Sequence, residues 1–165
     1  MATTLESFFD ALRNELQQYG EMLALLETQQ DALNNHGTHA VAASISSLTT
    51  QSAAIDAARR NRETLQRQVA WALGVPEEQN VRQLIPIIPA DYQPLLTALS
   101  QEIQELLVRV RECARQNRDH LHRSLVEMER FISNLSLTPQ DAPKRAQDSL
   151  LDVDESPASS IAAAV

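Results

Sequence analysis

Glycine is nearly missing from this chain. Three occur in 165 residues, at positions 20, 37 and 74. That leaves too little turn chemistry for a β-protein, or for a loop that wraps a phosphate in backbone amides. Aromatic residues are almost as scarce, the full set being Phe8, Phe9, Tyr19, Trp71, Tyr92 and Phe131. A single cysteine, Cys113, forbids an internal disulfide and fits a reducing compartment. Basic charge is short too. With 14 Lys and Arg against 22 Asp and Glu, the net charge of −8 argues against nucleic acid, whose phosphates need a basic surface. No apolar run approaches the ~18 residues of a membrane span. The opening "MATTLESFFD" lacks a charged stretch leading into an apolar one, so no secretion signal is read there. The expected location is the cytoplasm.

What the chain does have is apolar residues at helical spacing. Thr3 and Glu6 stand at capping-box distance, and Leu5, Phe8, Phe9, Leu12, Leu16, Tyr19, Leu23, Leu26 and Leu33 then keep one face apolar to about Asn34. "NNHGTH" (34–39) offers Gly37 for a left-handed turn and Thr38 as the next cap. A second helix carries Val41, Leu48, Ile55, Arg62 and Val69 at intervals of seven, with Ala58, Leu65 and Ala72 at the other seam position, and stops at Gly74. In "VPEEQNVRQLIPIIP" (75–89) the prolines forbid a long helix, although Pro76 suits the start of a short one over 77–85. From Ala90 the apolar rhythm returns and lasts to Leu135, a length of ~70 Å. The first helix holds six acids and only Arg13 in reply, whereas Arg59, Arg60, Arg62, Arg67, Arg109, Arg111, Arg115 and Arg118 lie on the other two. These charges suit close packing of the three. The fold class is therefore all-α: an elongated three-helix antiparallel coiled-coil bundle with one very long C-terminal helix, returning across both others and outreaching the second. The helical domain spans 1–137. The rest, 138–165, has three prolines, many small residues and no period, and is expected to be a disordered tail. Within it "DSLLDVDE" is an acidic–apolar island whose Leu150, Leu151 and Val153 would suit docking on a partner; a merely solvated tail is the plainer alternative.

One stretch breaks the pattern. The seam Leu96, Leu99, Ile103, Leu106, Val110, Cys113 reaches Asn117, then steps by fours to Leu121 and Leu125 before Met128, Ile132 and Leu135 resume the 3–4 spacing. Three explanations compete: a metal site, a register-fixing polar residue, or a surface meant for another helix. Metal is disfavoured, because a di-iron bundle needs paired Glu-x-x-His motifs and none occurs. His120 and His122 point to different sides of a helix, and His36 and His39 sit at a turn. Cys113 reads as a small apolar core residue, not a nucleophile. No catalytic residue and no cofactor site is read in this sequence. Asn117 must be hydrogen-bonded or open to a partner, since an unpaired buried amide costs ~1–3 kcal/mol. A four-residue phase slip would turn the following stripe in a new direction, toward a foreign amphipathic helix. The alternative is that the stripe goes on packing against the first helix.

The connector "ALGVPEEQNVRQLIPIIP" (72–89), the helix "SLTTQSAAIDAARRNRETL" (47–65) with Arg62 and Leu65, and "RQNRDHLHRSLVEMERFISNL" (115–135) with its Asn117 resemble the FlgN-type flagellar type III export chaperones over roughly residues 5 to 136. His120 departs from the pattern, standing where related chains more often place an apolar residue. The resemblance implies a cytoplasmic, non-enzymatic chaperone without cofactor. Its partners would be the hook-filament junction proteins (FlgK and FlgL), bound through their C-terminal region and delivered unassembled to the export apparatus. It also implies that the partner lies along Asn117, Leu121, Leu125, Met128, Phe131, Ile132 and Leu135. The rival functional readings are a coiled-coil scaffold or adaptor of another pathway, and, further off, a ferritin-like enzyme.

Overall fold

The computed structural model describes residues 2–35 and 37–135. Among them the chain forms four helices and no strand: α1 (Ala2–Asn34), α2 (Thr38–Ala72), the single-turn α3 (Val81–Leu84) and α4 (Gln93–Leu135), the last entered through a 3₁₀ turn at Ala90–Tyr92. The tail expected at 138–165 lies outside the described residues.

The three long helices run up, down and up. Short linkage makes α2 antiparallel to α1, and the connector brings α4 back parallel to α1. Phe9 stacks on Tyr92 with ring centroids 5.6 Å apart, and further along Arg109 approaches Glu27 at 3.8 Å. Contrary to the expectation of a helix lying across both others, α4 packs along α1 and hardly meets α2. The sequence of α1 explains this. Leu5, Phe8, Leu12, Glu15, Tyr19, Met22, Leu26, Gln29 and Leu33 follow an unbroken 3–4 alternation and all are buried. Phe9, Ala11 and Leu23, beside that seam, are buried as well. One helix buried over so broad a face serves two neighbours. The opposing core comes from Ile55, Ala58, Val69 and Ala70 of α2, and from Leu96, Leu99, Ile103, Leu107, Val110 and Cys113 of α4.

Several local signals fall elsewhere than expected. Helix α1 already runs from Ala2, so Thr3 lies inside it and its carbonyl accepts from Ser7 Oγ at 3.0 Å. Gly37 caps α2 at φ −80°, not in the left-handed region, and Thr38 is the first helical residue. The left-handed glycine is Gly74, at φ +71°. There Val75 N–H donates to Ala70 O at 3.0 Å and Gly74 N–H to Trp71 O at 3.0 Å, the paired bonds that close a helix C-terminus. A capping box does occur, but at Asn80 and Gln83, where it starts a helix shorter than the expected 77–85. Pro86 and Pro89 then keep the chain from extending that helix.

Candidate functional site

Two polar residues interrupt the heptad seam of α1, fourteen positions apart, and each is met by a polar residue from a neighbour. The first is Glu15. Its Oε2 accepts from Arg62 Nε at 2.9 Å, and its Oε1 accepts from Tyr19 Oη at 3.1 Å, with both ends of the ion pair buried. Arg62 Nη1 also donates to Gln66 Oε1 at 2.8 Å, and Gln66 Nε2 donates to Gln79 O at 2.6 Å. The cluster therefore ties α1, α2 and the connector together. Burial, followed by the Glu15 carboxylate, pushes the Tyr19 phenol far above its ordinary range. The cluster is a structural device: Glu15 and Arg62 are buried and make their hydrogen bonds to each other, to Tyr19 and to Gln66.

The second is Gln29, and it belongs to the candidate site. Asn117 is 2% exposed, and its Nδ2 donates to Leu26 O at 2.8 Å and to Gln29 Oε1 at 3.0 Å. Gln29 Nε2 donates in turn to Ser44 Oγ at 3.0 Å, and Ser44 Oγ to Val41 O at 2.6 Å. This relay crosses from α4 through α1 to α2 and holds all three at one register. Of the two options for the amide, the structure selects the hydrogen-bonded one. Its Oδ1 is buried without a donor among the described residues, a cost that position-specific pairing offsets only in part.

Beyond Asn117 the helix changes character. Leu121 and Ser124 are half-buried, and then Leu125 (54% exposed), Met128 (54%), Phe131 (64%) and Ile132 (55%) stand in solvent. Leu135 ends α4. The expected phase slip is not the cause. The buried and half-buried positions 103, 107, 110, 114, 117, 121 and 124 keep a regular 3–4 alternation, with Leu107 and not Leu106 in the seam. The spacing looks broken only when it is counted from Cys113 through to Leu125; the half-buried Ala114 and Ser124 keep the alternation on either side of Asn117. The cause is that α1 runs out. Gln30 meets Gln116 at 3.2 Å, so Asn34 stands level with about residue 120, and α4 continues past it for roughly 15 residues or ~22 Å. An open polar cleft marks the step between the two helices, lined by Gln30, Asn34, Gln116, His120, Arg123 and Glu127. The structure thus brings Leu125, Met128, Phe131 and Ile132 onto one exposed stretch, and it buries Asn117 beneath that stretch's inner end. Leu150, Leu151 and Val153 lie outside the described residues.

Sequence reasoning missed Glu15 as a buried group, and Gln29 and Ser44 as partners of Asn117. The alternation 5, 8, 12, 15, 19, 22, 26, 29, 33 was available and would have placed both polar residues of α1 in the seam.

The family model of the FlgN protein matches residues 1–144. The chain belongs to the FlgN family. That span takes in every helix described above, including the whole exposed stretch of α4. FlgN proteins are flagellar export chaperones and not enzymes, so their working surface is one that holds another protein. No curated protein and no solved structure matches the chain significantly. Among the described residues, no three His, Cys, Asp or Glu side chains gather as a metal site would require, and no helix is long and apolar enough to cross a membrane. Cys113 is buried, and that burial, with Glu27 nearby, raises its thiol pKa and so disfavours the thiolate.

Proposed function

We propose that this FlgN-family chain is a cytoplasmic chaperone for the hook-filament junction proteins (FlgK and FlgL), binding their C-terminal region and delivering them unassembled to the type III export gate. The observation that carries this reading is the apolar ridge on α4, where Leu125, Met128, Phe131 and Ile132 are each more than half exposed past the end of α1. A solvated apolar ridge on a preformed helix suits an amphipathic segment that folds as it docks. In this reading Leu121, Leu125, Met128, Phe131, Ile132 and Leu135 make the contact, and Asn117 fixes the helix beneath its inner end. The bound segment is withheld from self-assembly. The cost of ordering it offsets part of the gain, so the complex remains releasable.

The test is Leu125→Asp combined with Met128→Asp, measured by titration against purified junction protein. Two apolar anchors contribute ~1.5–3 kcal/mol each when fully covered, so affinity should fall at least tenfold. Circular dichroism should show the helix content kept. Undiminished binding by a folded variant would move the substrate elsewhere on the bundle, and no affinity of the unaltered chain for junction proteins would favour a scaffold or adaptor.

A further inference from the structure

The ridge has a candidate occupant within the same chain. Segment 148–155, "DSLLDVDE", offers Leu150, Leu151 and Val153 between four acids, Asp148, Asp152, Asp154 and Glu155. The described part of α4 ends at Leu135, and the intervening 136–147 can reach ~40 Å when extended. Covering the ridge back to Leu121 requires only ~21 Å. A segment returning antiparallel from position 148 sets its apolar residues against Leu125, Met128 and Phe131. Its more acidic end then arrives beside Arg118, which is exposed and lies one and two turns inward of Leu121 and Leu125 on the same face of the helix. Chain length, apolar match and charge order all agree with this one placement. We infer that segment 148–155 docks on the ridge of its own α4 when no partner is present, and competes with the partner for it.

The competition is mild by construction. A short tether supplies a millimolar effective concentration, which a three-residue apolar contact only partly saturates, so the segment should lower partner affinity by about two- to tenfold. It would shield the ridge from other apolar surfaces, while a longer amphipathic helix still displaces it.

This inference rests on the ridge being the substrate surface, yet it can be tested apart from that reading. The chain has three methionines, at 1, 22 and 128, so a methyl-labelled methionine NMR spectrum is simple to assign. In the full chain, Leu150→Asp with Leu151→Asp should shift the Met128 methyl resonance and leave that of the buried Met22 unmoved. The shift should not depend on protein concentration. A Met128 signal identical in both chains overturns the inference. So does a difference that grows with concentration, which would assign the ridge to the tail of a second copy. The second measurement titrates both chains with a synthetic peptide of a junction-protein C-terminus, and the variant should bind two- to tenfold more tightly. If Met128 shifts but neither chain binds the peptide, self-docking stands and the substrate reading falls. If Met128 does not shift while the peptide binds through Leu125 and Met128, the substrate reading stands and self-docking falls.

Discussion

From Leu96 to Asn117, α4 buries a residue at nearly every seam position, whereas from Leu125 to Ile132 it leaves four large apolar side chains in water. Both stretches are amphipathic helix, and both carry Leu, Ile and Val or Met at helical spacing. The difference lies in the neighbour and not in the helix. A stripe becomes core only where another surface meets it, so the same pattern encodes packing in one half of α4 and an exposed apolar ridge in the other.

A charge placed in each half breaks or upholds this comparison most directly. Ile103→Asp should prevent folding, because an unpaired carboxylate in an apolar site is among the costliest changes a small domain can suffer. Leu125→Asp should fold normally, and comparable losses at both positions by chemical denaturation would erase the distinction. Next in size is the ion pair that supports the inner half through α1. Arg62→Met strands Glu15 and should cost about 3–5 kcal/mol, while adding Glu15→Leu should restore much of the loss. Asn117→Ala, at the border of the two halves, should cost about 1–3 kcal/mol by leaving Gln29 Oε1 unpaired. Hydrogen exchange should then quicken around Leu26 and Ser44 as well as in α4.

Tyr19 gives a finer probe of the inner region. Its folded-state pKa is raised above the ordinary 10.0, so the stability linked to it is complete below about pH 10. Above that pH the unfolded chain loses the phenolic proton first, and stability falls as pH rises toward the folded pKa. Tyr19→Phe should flatten that alkaline decline in urea titrations. The smallest effect is expected on the ridge itself: Leu125→Ala or Met128→Ala should change folding stability by no more than ~0.5 kcal/mol. A loss of several kcal/mol there would make the ridge core after all.

The number and order of the long helices were readable because long 3–4 alternations leave little choice, and Gly74 with Pro76 punctuates α2 plainly, whereas the connector helix, Val81–Leu84, is shorter than the prolines alone suggested. The route of α4 was not. Whether a third helix lies across two others or along one depends on how wide an apolar face the first helix has, and Phe9, Ala11 and Leu23 decide that only together. Arg62 stood in the heptad by spacing, but its partner did not, since Glu15 looks like one more of the acids of α1 until the seam is counted through it. Asn117 stood out on two grounds, a seam amide in need of hydrogen bonds, which the structure supplies, and a phase slip, which it does not show. The apparent slip came from counting Cys113 and Leu125, the more apolar choices, where the small Ala114 and Ser124 carry the alternation past Asn117. The exposure of the ridge was legible only as a difference in length, because no residue within the ridge announces where α1 stops.

Because α4 is attached almost entirely to α1 while α2 closes the other side, the molecule behaves mechanically as a clasped hairpin with a strip laid along it. Tension applied at the outer end of α4 meets first a stretch that no other described helix adjoins, then the Asn117 relay, and only then the continuous seam. Detachment should therefore proceed like peeling tape, turn by turn and at low force, while the Glu15–Arg62 clasp keeps α1 and α2 shut. Single-molecule stretching from the C-terminus should record an early yielding of α4 and a separate, later opening of the hairpin. A single cooperative rupture would mean that the strip and the hairpin are bound more tightly than their contacts imply.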